Sequence, residues 1–312
     1  MIDLNNPVAT PFRVNWGTDP VTEYHYKTDV FTASDGSEQR RPMNRYPEVR
    51  VRYETCAMTA AHAERIDGML PMLMTSAVAV RDFRMNGAGR VSDDGSSFII
   101  RTWSASWAVG VRVVIEDDDG LQEHTALVTG ADPASRTVSM SDPCPEAMRG
   151  KAAKIGSAVV ASLDDEMGSV RHTADVEVWD VSATSFRGLD PIGGAPLTAF
   201  PFSHGSEDGV RITARRSVHG LDYGVGRRSE VLGYASMTSG FRTYQVETYQ
   251  LSQTSKEALV SFWCGCRGRH KSFTAPRLDP SARFRFASDI LVVTHRSGDV
   301  SSATVNLAQV IA

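Results

Sequence analysis

The sequence predicts a mainly β protein of the α+β class, with two related β-rich lobes flanking an inserted small barrel or sandwich. Three observations carry that expectation. The two ends of the chain repeat one pattern of strand, capped helix and further strand, and such a repeat changes how every other residue is read. The middle alternates short apolar runs with turn residues. The composition, 41% hydrophobic and 22% charged over 312 residues, is that of a globular protein long enough for two or three domains.

The first lobe is expected over residues 1–90. Pro7, Pro11 and Pro20 mark an extended arm, since proline fixes φ and removes backbone donors. Val30-Phe31-Thr32-Ala33 reads as a strand, and Asp35-Gly36 as a hairpin turn. Val49, Val51 and Tyr53 alternate with Arg50, Arg52 and Glu54, the period of a half-buried strand. Thr59 is placed to cap a helix. Ile66, Met69, Leu70 and Leu73 follow at helical spacing, and Pro71 should end or kink that helix.

The middle section, 91–180, carries Phe98-Ile99-Ile100, Val111–Ile115, Thr125–Val128, Thr137–Met140 and Ala158–Ala161 at close, regular spacing. Short strands so arranged predict a small barrel or sandwich. The second lobe, 181–312, opens with the Gly- and Pro-rich stretch Gly188–Pro196. Thr254-Ser255-Lys256-Glu257 fits a capping box, with Glu257 reaching back to the cap. Ala258, Leu259, Phe262 and Trp263 then form one apolar face. Asp289–Thr294 and Ala303–Leu307 read as closing strands.

Composition also excludes function classes. A net charge of -4 argues against a dedicated nucleic-acid binder. No apolar run approaches the roughly 20 residues a membrane span needs. The N-terminus lacks a basic segment followed by an apolar one, so no signal peptide is expected. Four cysteines are too few for a disulfide framework at this length, so thiols in a cytoplasm are expected.

The search for chemistry returns no zinc-protease motif, P-loop or nucleophile elbow. Gly87-Ala88-Gly89 and Gly224-Val225-Gly226 lack the third glycine of a dinucleotide fingerprint. Cys264, Cys266 and His270 have a spacing that could hold a metal, with Cys56 or Cys144 as a fourth ligand, but cysteine more often packs as a small hydrophobe. The run Glu116-Asp117-Asp118-Asp119-Gly120 lacks the alternating ligands of a calcium loop and reads as a solvated hairpin tip. No metal, cofactor or catalytic residue is assigned.

Three basic patches remain: Arg40, Arg41 and Arg45; Arg215, Arg216, Arg227 and Arg228; and Arg267, Arg269, His270 and Lys271. Arginine is favoured at subunit contacts, which is the reading preferred over nucleic-acid binding. Trp103, Trp107 and Trp263 read as core or interface anchors. The candidate interface residues are therefore Arg40, Arg41, Arg267, Arg269 and Trp263.

At these residues the chain resembles the minor tail and distal tail (baseplate) proteins of long-tailed phages. The resemblance rests on Thr28-Asp29-Val30-Phe31 through Gly36-Ser37-Glu38-Gln39-Arg40-Arg41, on the strand–helix unit that follows, and on Cys266 through Pro276, which includes Arg267-Gly268 and Phe273. It implies two tail-tube-like β-sandwich-plus-helix lobes with an inserted small β-barrel. It further implies a non-enzymatic structural protein of the virion tail tip, assembled in the host cytoplasm. Its partners would be itself as a ring homo-oligomer, trimeric or hexameric, the tail tube protein, and tail hub or tip proteins. The physical logic agrees, because a ring covers each open sheet edge with the neighbour's. The alternative is a tail-associated carbohydrate- or receptor-binding accessory protein, with Trp103 and Trp107 exposed on the middle domain.

Overall fold

Val49, Val51 and Tyr53 are buried, and the charged residues between them lie on the more exposed face, as their alternation requires. They belong to a computed structural model that describes residues 3–32, 38–56, 59–103, 107–118, 122–164, 168–173, 176–186, 199–201, 210–214, 218–222, 227–231, 242–296 and 300–310. The fold is mainly β, with two α-helices among the described residues.

The first strands are β1 (Val8–Ala9), β2 (Val21–His25), β3 (Thr28–Thr32), β4 (Glu38–Pro42) and β5 (Glu48–Glu54). Helix α1 (Ala60–Thr75) leads into the long strand β6 (Val78–Val91). The middle strands are β7 (Ser97–Ile100), β8 (Arg112–Asp117), β9 (Glu123–Asp132), β10 (Thr137–Met140) and β11 (Ala152–Leu163). Then come β12 (Gly168–Thr173), β13 (Val176–Ser185), β14 (Val210–Ala214), β15 (Val218–Asp222), β16 (Arg227–Val231) and β17 (Arg242–Ser252). Helix α2 (Gln253–Cys266) is followed by β18 (Phe273–Ala275), β19 (Asp279–Phe286), β20 (Ile290–His295) and β21 (Val300–Val310).

One pattern of pairing occurs twice. Among the first strands, β2 pairs with β5; β13 then pairs with β12 at its start, β5 in its middle and β11 at its end. Among the last, β14 pairs with β17, and β21 pairs with β20, β17 and β19 in the same order along its length. A hairpin separates the first two strands of each set, β3–β4 in one and β15–β16 in the other. A helix follows the second strand of each set, and each set closes with one further pairing, β11·β6 or β19·β18.

The middle strands pair in a closed circuit, β6–β7–β10–β9–β8–β11 and back to β6. Inside it lies a separate core of Met85, Phe98, Ile100, Ile115, Val138 and Ile155, with neighbours drawn from between those positions. The larger core takes residues from both ends of the chain, together with Val159, Ala161, Leu163 and Trp179. The second core thus spans Met85 to Ile155, and the stretch from 159 to 179 packs with the terminal strands. Gly89 has a packing role: a Cβ there would collide with the carbonyl oxygen of Ile99 and the ring of Phe98 on β7.

Several local expectations are corrected. Thr59 does stand at the cap of α1 in extended conformation, but its hydroxyl accepts no helix amide and lies 3.4 Å from His62 Nδ1. Pro71 does not stop α1, which continues to Thr75, where the Thr75 hydroxyl donates to the Pro71 carbonyl at 2.7 Å. The cap of α2 is Ser252, two residues earlier than expected, accepting from Ser255 N at 3.2 Å. Glu257 accepts instead from Gln253 Nε2 at 2.9 Å. In the acidic run, Glu116 and Asp117 are buried in β8, not solvated, and Glu116 faces Arg13 and Arg81, each at 3.4 Å. Asp35-Gly36, Asp119-Gly120, Gly188–Pro196, Arg215 and Arg216 lie outside the described residues.

Candidate assembly interface

The two sets of strands meet edge to edge within the chain. Strand β2 carries β5 on one side and β20 on the other, with Val21 opposite Thr294, Glu23 opposite Val292 and His25 opposite Ile290. Beneath this ladder lies Trp263 of α2, 1% exposed, its ring 4.9 Å from that of Tyr26 and 6.4 Å from that of Tyr24. Trp263, read as a core or interface anchor, lies in the core of the chain.

The β3–β4 hairpin is then fastened over the second set. Asp289, just before β20, accepts from Thr28 N at 2.8 Å, Thr28 Oγ1 at 2.9 Å, Arg269 N at 2.9 Å and Arg269 Nε at 3.2 Å. Arg269 also donates through Nη2 to the Thr28 carbonyl at 3.1 Å, and Arg40 Nη1 donates to the Arg269 carbonyl at 3.2 Å. Arg285 on β19 grips Glu38 on β4 with two bonds of 2.8 and 2.6 Å, the fork geometry that makes such pairs strong. Arg40 and Arg269 therefore hold one hairpin within the chain. Arg41 is exposed on β4, and Arg267 closes α2 in left-handed conformation (φ 55°) with its N–H to the Cys264 carbonyl at 3.0 Å. Of the five residues expected at the interface, Arg40, Arg267 and Arg269 gather at the hairpin and the end of α2.

His270 sits in this cluster. Burial and the charges of Arg267, Arg40 and Lys271 push its imidazole below its ordinary range. Cys264 and Cys266 are buried, and burial pushes both thiols up to about 12; the buried thiol of Cys144 rises to about 11. Such thiols are protonated, and so poor nucleophiles, at neutral pH. Among the described residues, no group of three or more histidines, cysteines and carboxylates stands ready to hold a metal. Trp107 is 6% exposed in the second core, and Trp103 packs against that core half-buried.

Behind the ladder is a buried polar network that the sequence reading missed. Asp82 is fully buried and accepts from Arg84 Nε at 2.6 Å and Arg84 N at 3.0 Å, and from the Ser157 hydroxyl. Phe83 is in left-handed conformation (φ 60°), a strained state for a bulky residue, and Lys256 Nζ donates to its carbonyl at 2.6 Å. Gln253 of α2 donates to the Arg84 carbonyl. Thr22 on β2 donates to the Asp82 carbonyl at 3.0 Å and lies 3.0 Å from His295 Nε2 on β20. His295 Nδ1 lies 3.1 Å from Ser301 Oγ. The signal was there: Arg81, Asp82 and Arg84 interrupt the otherwise apolar run from Ala77 to Met85.

Burial, and then the nearby Lys256, hold the His295 imidazole well below its ordinary value. The unfolded chain therefore takes up a proton near pH 6.5 that the folded one refuses, and stability falls as pH drops below that value. Glu123, raised to about 7 by burial, works the opposite way, so the contribution must be read against a variant. Between pH 7.5 and 5.5 the protein is expected to lose about 1.4 kcal/mol relative to His295→Gln, read from urea midpoints. Parallel pH profiles for the two proteins would refute a neutral buried His295.

Neither a scan of family models nor a search of curated proteins finds a match to the chain. No helix among the described residues is long and apolar enough to cross a membrane.

Proposed function

We propose that the protein is a structural component of a phage tail tip or baseplate, forming a ring that joins the tail tube to the distal tip. In this reading its two ends are tail-tube-like β-sandwich-plus-helix lobes, and the middle is an inserted small β-barrel. Its partners are further copies of itself, the tail tube protein and hub or tip proteins, in a virion assembled in the host cytoplasm. One observation carries the reading: the same strand connectivity occurs twice, and the two sets are joined edge to edge by β2 and β20. A chain that already joins two equivalent units by their sheet edges holds the elementary contact of a ring. The burial of Trp107 and the packing of Trp103 against the second core weigh against the carbohydrate-binding alternative, which needs an open aromatic platform.

The test is to concentrate the purified protein, alone and with a tail tube protein, and to examine it by sedimentation and electron microscopy. Closed rings in two-dimensional class averages are expected. A protein that stays monomeric under both conditions, with no ring particles, refutes the reading.

A further inference from the structure

The contact between the two sets inside the chain has counterparts elsewhere in it. The contact between the two sets has a ladder, β2·β20, and an arm, the β3–β4 hairpin fastened by Asp289, Arg269 and Arg285. Each element of that contact has an equivalent elsewhere in the chain. By pairing and order, β14 corresponds to β2: each is the first strand of its set, is followed by a hairpin, and pairs with the strand that leads into a helix. Likewise β12 corresponds to β20, because each precedes the long strand that ties its set together and pairs with the start of that strand. The arm's counterpart is the β15–β16 hairpin.

The equivalents differ in one respect. Strands β2 and β20 complete each other, whereas among the described residues β12 pairs only with β13, and β14 only with β17. Among the described residues each therefore has one edge without a ladder partner, and native proteins cover such edges. The two edges belong to opposite sets, as β2 and β20 do, but among the described residues they do not pair with each other, so that relation occurs there once.

We propose that β14 of one copy pairs with β12 of the next, and that the β15–β16 hairpin is laid over that neighbour as β3–β4 is laid over the second set within the chain. The occupant of each free edge is a second copy of this chain. The contact is head-to-tail, so each copy gives one edge and receives one, and successive copies close or extend by the same step that relates the two sets. This inference rests on the ring reading and adds the surfaces that make it.

Two experiments test it. The first follows hydrogen exchange of the unaltered protein, dilute and then concentrated enough to assemble. Backbone amides in Val210–Ala214 and Gly168–Thr173 are expected to exchange about tenfold or more slowly on assembly, the response of amides newly paired in a ladder. The second uses a Cys56→Ser background carrying Arg171→Cys and Thr213→Cys, treated with a short bis-maleimide. The expected products are covalent dimers and higher multiples joined by β12–β14 peptides, lost on dilution before cross-linking. A His25→Cys, Ile290→Cys protein in the same background should give the corresponding link within one chain. Rings that form without β12–β14 links, and without added protection at those strands, overturn the proposal and leave the ring reading intact. Absence of any oligomer refutes both.

Discussion

Replacing Asp82 with alanine is expected to cost about 3–5 kcal/mol, because it strands a buried guanidinium. The Arg84 side chain is 9% exposed, and Asp82 is the carboxylate it meets, at 2.6 Å. The same carboxylate receives the Arg84 amide and the Ser157 hydroxyl, and Ser157 in turn accepts from Met85 N at 2.9 Å. These bonds hold the stretch from Asp82 to Met85 in the distorted path where β6 breaks register with β11, between Gly156 and Ala158. Phe83 pays for that path with a left-handed backbone. Its support comes from Lys256 and Gln253 of α2 and from Thr22 of β2, so the network ties the beginning of the chain to its end.

A surface control separates burial from charge. Arg90 and Asp93 also form an ion pair, at 2.8 Å, but Asp93 is 85% exposed. Asp93→Ala should change stability by less than about 1 kcal/mol, as exposed pairs do. Asp82→Asn, which keeps an acceptor beside Arg84, should fall between the two. Urea unfolding at constant m reads all three. An Asp82→Ala protein within about 1 kcal/mol of the parent would show that the network contributes no more than a surface pair.

Strands were legible in the sequence because their cause is local. Val49, Val51 and Tyr53 announce β5 by alternation alone, and the short runs from Phe98 to Ala161 fall within strands except for Val111, which precedes β8. The face of α2 was legible for the same reason, with Leu259, Phe262 and Trp263 in the larger core and Ala258 half-buried beside them in sequence. Caps were less so. Ser252 and Thr254 are both competent, and the choice between them depends on where β17 ends, which its pairing with β21 decides. Pro71 forfeits one helical hydrogen bond, but α1 has packing to hold it: Ile66 and Leu73 are buried on either side of the proline. The partners of charged residues were not legible at all. Glu38 meets Arg285 and Thr28 meets Asp289 across almost the whole chain, and no spacing rule reaches that far. Arginine patches that read as contacts with another subunit thus proved partly to be contacts with the chain's own other end.

Trp263→Ala is the second large expected effect, and it decides between two roles for one residue. The indole contacts Tyr26 and Tyr24 beneath the ladder and Phe286 of β19, with ring centroids 4.9, 6.4 and 6.5 Å away. Removing a fully buried tryptophan forfeits its transfer free energy and leaves a cavity, together about 3–5 kcal/mol. As a core residue, Trp263 should exact that loss in the isolated chain, with an unfolding midpoint shift that is the same at two protein concentrations tenfold apart. As an interface residue, it would matter only where copies associate, and the shift would shrink on dilution. Arg41→Ala provides the contrast, since Arg41 is exposed on β4 and its loss should move stability of the isolated chain by less than about 0.5 kcal/mol. A concentration-dependent Trp263→Ala effect would favour the interface reading of that side chain over the core one. A constant one makes Trp263 a core residue, with α2 as the support against which the ladder between the two sets is formed.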